Sequence, residues 1–177
     1  MNSFLEEKES MLKRKMERVL ERWKENNAHH PKALCLFGAR QTGKSTLARV
    51  FGAKRYEQVI EINFIFVPDA KRIFENANGA KEILRNITSY THKTVIPEQT
   101  LIILDEIQEC PEARTMIKAL VKDNTCEYIE TESLLGLRFK EIRSYPVGFE
   151  QIEFMYPLDL EEFLWAFNSF SKTHSIC

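Results

Sequence analysis

The sequence predicts an α/β fold: a mostly parallel sheet with helices on both faces, in three layers. Three observations predict it. Short apolar runs alternate with helical stretches along the chain, which is how a parallel sheet crossed by helices reads. The run Gly38-Ala39-Arg40-Gln41-Thr42-Gly43-Lys44-Ser45 fits G-x-x-x-x-G-K-[ST] at every fixed position, and a strand-like run precedes it. Leu101-Ile102-Ile103-Leu104 is continuously apolar and ends in Asp105-Glu106, as a strand covered on both faces would.

The elements follow in order. Phe4, Leu5, Met11, Leu12, Met16, Val19, Leu20 and Trp23 form a helical stripe over residues 4–25, with charges of both signs opposite. This amphipathic helix packs on the core or, as the runner-up, binds a partner. Asn26-Asn27-Ala28-His29-His30-Pro31 breaks it; the two histidines read as a solvated turn. Ala33 to Phe37 is a buried strand, and Thr46 to Phe51 continues as a helix from the phosphate loop. Gln58 to Phe64 alternates like a strand. Pro68-Asp69 starts a short helical stretch to about Ala77, and Ala80 to about Tyr90 is helical with Ile83, Leu84 and Ile87 inward. Pro111 opens a further helix. Tyr128 to Thr131 reads as a strand, and Gln151 to Tyr156 alternates with Ile152, Phe154 and Tyr156 on one side. Asp159-x-x-Glu162 is a capping box ahead of Phe163 to Phe167. After Asn168 the chain turns polar and patternless. The expected organisation is an N-terminal helix over 1–28, a core over 29–168 and an irregular tail over 169–177.

The chain has 177 residues and a formal net charge of -1, enough for one domain with a core and without a global basic field for nucleic acid. No apolar run reaches membrane-spanning length, and the N-terminus lacks the pattern of a signal peptide. A cytoplasmic protein is expected. The four cysteines, Cys35, Cys110, Cys126 and Cys177, lack metal-ligand spacing; Cys35 reads as a small buried hydrophobe.

The motif has a mechanism. Loop amides cradle phosphates, Lys44 reaches the β- and γ-phosphates, and the Ser45 hydroxyl sits on Mg²⁺. The loop Gly38, Ala39, Arg40, Gln41, Thr42, Gly43, Lys44 and Ser45, with Thr46 following, is the nucleotide-binding candidate. Asp105 would hold Mg²⁺ opposite Ser45, and Glu106 would polarise the attacking water. The Asp-Glu pair alone is a weak signal, but it becomes specific about sixty residues after a complete phosphate loop. Thr131 and Ser133 are candidates to contact the γ-phosphate, weighed evenly against ordinary turn residues. Arg138 and Arg143 are candidates to reach a neighbouring subunit's phosphate, with a solvated surface role the stronger alternative. In open α/β sheets ligands sit beyond the carboxyl ends of the strands, where the loop, Asp105-Glu106 and Thr131–Ser133 all fall.

Leu104-Asp105-Glu106-Ile107-Gln108-Glu109-Cys110-Pro111 follows the phosphate loop. Ser133-Leu134-Leu135-Gly136, Ser144-Tyr145-Pro146-Val147-Gly148, Tyr156-Pro157-Leu158 and Glu161-Glu162-Phe163-Leu164 come next. These blocks, in this order, resemble the prokaryotic AAA-type ATPases with a C-terminal domain of unknown function (DUF4143). The resemblance covers roughly residues 10–168. It implies a P-loop NTPase core of AAA+ type with a catalytic Glu, using ATP and Mg²⁺. It also implies that this chain ends after the ATPase core, without the family's lid and C-terminal domain. Glu132 stands where the family usually has Gly, so a carboxylate near the γ-phosphate is expected to repel it. Two further readings stay open: a nucleotide-binding module with little turnover, and an interaction domain prone to self-association. Nucleic acid and protein clients are undetermined.

Overall fold

The computed structural model describes residues 12–133 and 146–173, with side chains described through residue 166. Arg138 and Arg143 lie outside the described residues. Five strands are described: β1 (Ala33–Gly38), β2 (Gln58–Asn63), β3 (Thr100–Asp105), β4 (Glu127–Ser133) and β5 (Glu150–Phe154). They form one sheet in the order β2-β3-β4-β1-β5, and every pairing is parallel. The helices are α1 (Met16–Asn27), α2 (Lys44–Arg55), α3 (Ala80–Thr91), α4 (Pro111–Asp123) and α5 (Leu160–Thr173). Short 3-10 helices cover Pro68–Ile73 and Ile107–Glu109.

Strand alternation divides the interior into two cores. On one face, Leu34, Leu36, Leu101, Ile103 and Ile129 pack against Leu20 and Trp23 of α1 and Leu47, Ala48 and Phe51 of α2. On the other, Ile60, Ile62, Ile102, Leu104 and Tyr128 pack against α3 and α4. α1 is therefore part of the core. Complete burial of Leu20 and Trp23 contributes about 2 kcal/mol each, and the Trp23 indole N–H donates to Lys32 O at 2.9 Å. α2 lies so close to the sheet that a Cβ on Gly52 would come within 2.9 Å of Leu101 and Val59 side-chain atoms.

Four expectations change. The stripe over 4–25 predicts one helix, but among the described residues helix begins at Met16. Acids cap the amides at this start: the Lys15 amide donates to Glu162 Oε1 at 2.7 Å and the Arg14 amide to Glu17 Oε1 at 3.0 Å. β4 is a central strand through Ser133 although its last four residues are polar; all four are buried. β5 is an edge strand whose apolar side is open, with Ile152 and Phe154 50% and 54% exposed. The capping box forms as expected, Glu162 N–H donating to Asp159 Oδ1 at 2.8 Å and Asp159 N–H to Glu162 Oε2 at 3.2 Å, but α5 runs on to Thr173, past Asn168 where the pattern fades.

Candidate nucleotide site

The phosphate loop joins the carboxyl end of β1 to the first turn of α2. Gly38 passes so close to β5 that a Cβ would lie 2.1 Å from Met155 O, so no side chain fits there. Gly43 precedes the helix at φ +89, a left-handed conformation that glycine adopts without strain. Arg40 and Gln41 sit exposed at the tip, while Thr42 is buried and its hydroxyl donates to Ala39 O at 3.0 Å. The loop and the strand ends enclose a cleft of about 570 Å³ lined by Lys44, Ser45, Thr46, Arg49, Asn63, Asp105 and Glu106, among others. That volume suits a small-molecule ligand.

Lys44 is buried, and its Nζ donates to Ala39 O at 2.7 Å and Gly38 O at 3.2 Å. Burial lowers its pKa from the ordinary lysine value, opposed by attraction to Glu106 and Asp105. The Ser45 hydroxyl donates to Asp105 Oδ1, which also accepts from Thr131 Oγ1 at 2.5 Å. Asn63 Nδ2 donates to Asp105 Oδ2. Glu106 takes a left-handed φ of +57, a conformation that costs a non-glycine residue about 1 kcal/mol or more. Its surroundings hold it there. The Glu106 N–H donates to Thr131 Oγ1 at 3.0 Å, Ser133 Oγ donates to Glu106 Oε1 at 2.9 Å, and Gln108 Nε2 donates to Oε2 at 2.6 Å.

The structure thus brings the loop, Asp105-Glu106 and Thr131–Ser133 together. Thr131 and Ser133 are buried residues of β4 and do not lie in a turn. The sequence reading missed Asn63 and gave Gln108 no role. Asn63 was findable: it continues the alternation of Val59 and Glu61 on β2, beside the end of β3, and pairs with Asp105 in register. Gln108 had no comparable signal, because it reaches Glu106 only through the turn that follows.

The expected repulsion by Glu132 does not arise. Neighbours on a strand point to opposite faces. Thr131 and Ser133 face the phosphate loop, and Glu132 faces α4. There its carboxylate pairs with Arg114 Nη1, while Arg114 Nη2 lies 2.8 Å from Glu150 Oε1.

The sequence profile of the AAA domain matches residues 30–164, well over half of the chain. The chain belongs to the AAA domain family. No curated protein matches it. Among solved structures, this AAA domain resembles the Walker-type ATPase PABY2304 of Pyrococcus abyssi, with a TM-score of 0.57 and 16% identity, covering 93% of this chain and 59% of that one. It also resembles the Orc1 protein of Aeropyrum pernix, solved in complex with DNA, with a TM-score of 0.54 and 15% identity over 96% of this chain and 52% of that one. A DNA replication initiation factor gives 0.58 and 14% over 94% and 54%. At these identities the likeness shows the fold alone: an α/β fold with a parallel sheet, as in P-loop NTPases. The chain spans about half the length of the solved structures it matches. Membership in the family supports a nucleotide-binding, ATPase-type module. None of the described helices is long and apolar enough to cross a membrane.

Proposed function

We propose that this chain binds ATP with Mg²⁺ and hydrolyses it. The observation that carries the reading is the convergence of Ser45, Asp105 and Glu106 on one cleft beside the loop. The Ser45 hydroxyl and the Asp105 carboxylate already touch, and an all-oxygen donor pair suits a hard cation such as Mg²⁺. Ser45 and Asp105 would hold the ion, whose chemistry there is to offset phosphate charge. Lys44 and the loop amides bind the phosphates, and Glu106 orients and deprotonates the attacking water. A neighbouring cleft of about 700 Å³, lined by Leu12, Leu47, Pro157 and Leu158 among others, shares Gln41, Gly43 and Thr46 with the first and offers an apolar wall for the base.

A second reading, binding with little turnover, draws support from Glu106, both of whose carboxylate oxygens are engaged by Ser133 and Gln108. The test is fluorescent ATP-analogue binding with Mg²⁺, followed by steady-state phosphate release. Binding lost in Lys44→Ala supports the site, and multiple turnovers by the wild type select hydrolysis over binding alone. A folded wild type that binds no analogue overturns both readings.

A further inference from the structure

Arg14 belongs to none of the motifs above, yet its guanidinium joins three elements. Nη1 donates to Thr42 O in the phosphate loop at 2.7 Å, Nη2 to Tyr156 O just beyond β5 at 2.6 Å, and Nε to Glu162 Oε1 at the start of α5 at 3.2 Å. The Arg14 side chain is only 10% exposed and that of Glu162 only 6%. Glu162 is itself fixed by the Lys15 and Asp159 amides, so Arg14 is anchored to a rigid partner rather than to a mobile surface acid. The fork of the guanidinium suits such multiple, directional donation, which a point-charge ammonium does not reproduce.

The contact to Thr42 O has a geometric consequence. A trans peptide is planar, with its C=O and N–H pointing in opposite directions, and the described chain contains no cis peptide. Fixing the Thr42 carbonyl therefore fixes the N–H of Gly43 the other way. Gly43 is the residue of the loop with the greatest backbone freedom, at φ +89. A loop that binds anions through its amides needs them preorganised, since reorientation on binding costs affinity. We propose that Arg14 is a positioning residue of the phosphate loop: by holding the Thr42 carbonyl it presents the Gly43 N–H to a phosphate, and it ties that presentation to the cap of α5. The proposal rests on the reading of the loop as a phosphate site.

The test uses the full chain, with pyrophosphate and a Mg²⁺–ATP analogue as ligands and the amide ¹H–¹⁵N resonance of Gly43 as reporter. In the wild type, pyrophosphate binds and shifts that resonance. Arg14→Ala is expected to weaken pyrophosphate binding by about tenfold and to remove most of the Gly43 shift, while Arg14→Lys, which still reaches one carbonyl, restores part of both. Should Arg14→Ala not fold, Arg14→Gln is measured in its place, with the same expectation. A folded variant that melts earlier but keeps pyrophosphate affinity within about twofold and the wild-type Gly43 shift overturns the positioning role and leaves the phosphate site standing. A folded wild type that binds neither ligand overturns the phosphate site, and the role of Arg14 falls with it.

Discussion

Glu132 turns its carboxylate to the Arg114 guanidinium on the face of β4 opposite Thr131 and Ser133. The pair is buried, with side-chain exposures of 9% and 4%. Arg114 also meets Glu150 at 2.8 Å and lies 3.9 Å from Glu130. Arg114 therefore faces three acidic side chains beneath the sheet. Removing it strips the Glu132 and Glu150 carboxylates of this buried counter-charge, and breaking a buried pair in this way costs about 3–5 kcal/mol. Arg114→Ala should lower the urea midpoint accordingly, whereas Glu132→Gln should change ATP-analogue affinity by less than about twofold, because the far face of a strand contributes nothing to the cleft. Equilibrium unfolding and analogue titration check the two halves.

Glu130 is fully buried in that cluster, and neither of its carboxylate oxygens accepts a hydrogen bond from a donor among the described residues. Burial, followed by the charge of Glu150, raises its pKa well above the ordinary value of 4.5. The folded state thus holds a proton that the unfolded state releases above about pH 4.5, so stability falls as pH rises past that point. Glu130→Gln removes this dependence. Its melting temperature should gain on the wild type as pH is raised from about 5 to about 8, and thermal unfolding at the two values checks it.

The cap of α5 titrates in the opposite sense. The Asp159 carboxyl lies below its ordinary value of 3.8, held by the Glu162 amide first and by Lys15 next. For Glu162, burial acts upward, but the amides of Lys15 and Asp159 and the Arg14 guanidinium outweigh it and bring the carboxyl below 4.5. Groups with depressed values stabilise the fold above their unfolded pKa and lose that contribution as pH falls through the folded one. The difference in urea midpoint between wild type and Asp159→Asn should be present at about pH 7 and shrink progressively as the pH falls below about 4.

Glu106→Gln keeps the shape of the side chain and removes its basicity. Phosphate release should fall by about 10²-fold or more, with analogue affinity within a few-fold of wild type. An unchanged release rate would remove Glu106 from the mechanism.

Gly38→Ala places a methyl group 2.1 Å from Met155 O, a backbone atom that cannot turn aside. β1 and β5 must separate, and the expected cost is about 3 kcal/mol, read by equilibrium unfolding, together with weakened analogue binding because the loop starts at this residue.

The sequence by itself determined the layered fold, the place of the phosphate loop and the presence of Asp105-Glu106 at a strand end. Each of these is written in local pattern: an apolar run of strand length, a glycine spacing, an acid at the end of an apolar stretch. The capping box of α5 was legible for the same reason, since Asp159 and Glu162 contact each other within one turn. What lies across the fold was not legible. Whether Glu132 faces a phosphate or an arginine depends on the parity of β4 relative to β1 and β3, and its polar residues conceal that parity. The open apolar side of β5 follows from its place at the sheet edge, which alternation cannot report. Arg14 meets Thr42, Tyr156 and Glu162 over separations of 28, 142 and 148 residues. A single charged residue carries no periodic signal, so only the tertiary fold, which brings the loop, the end of β5 and the cap of α5 within reach of one guanidinium, decided what Arg14 touches.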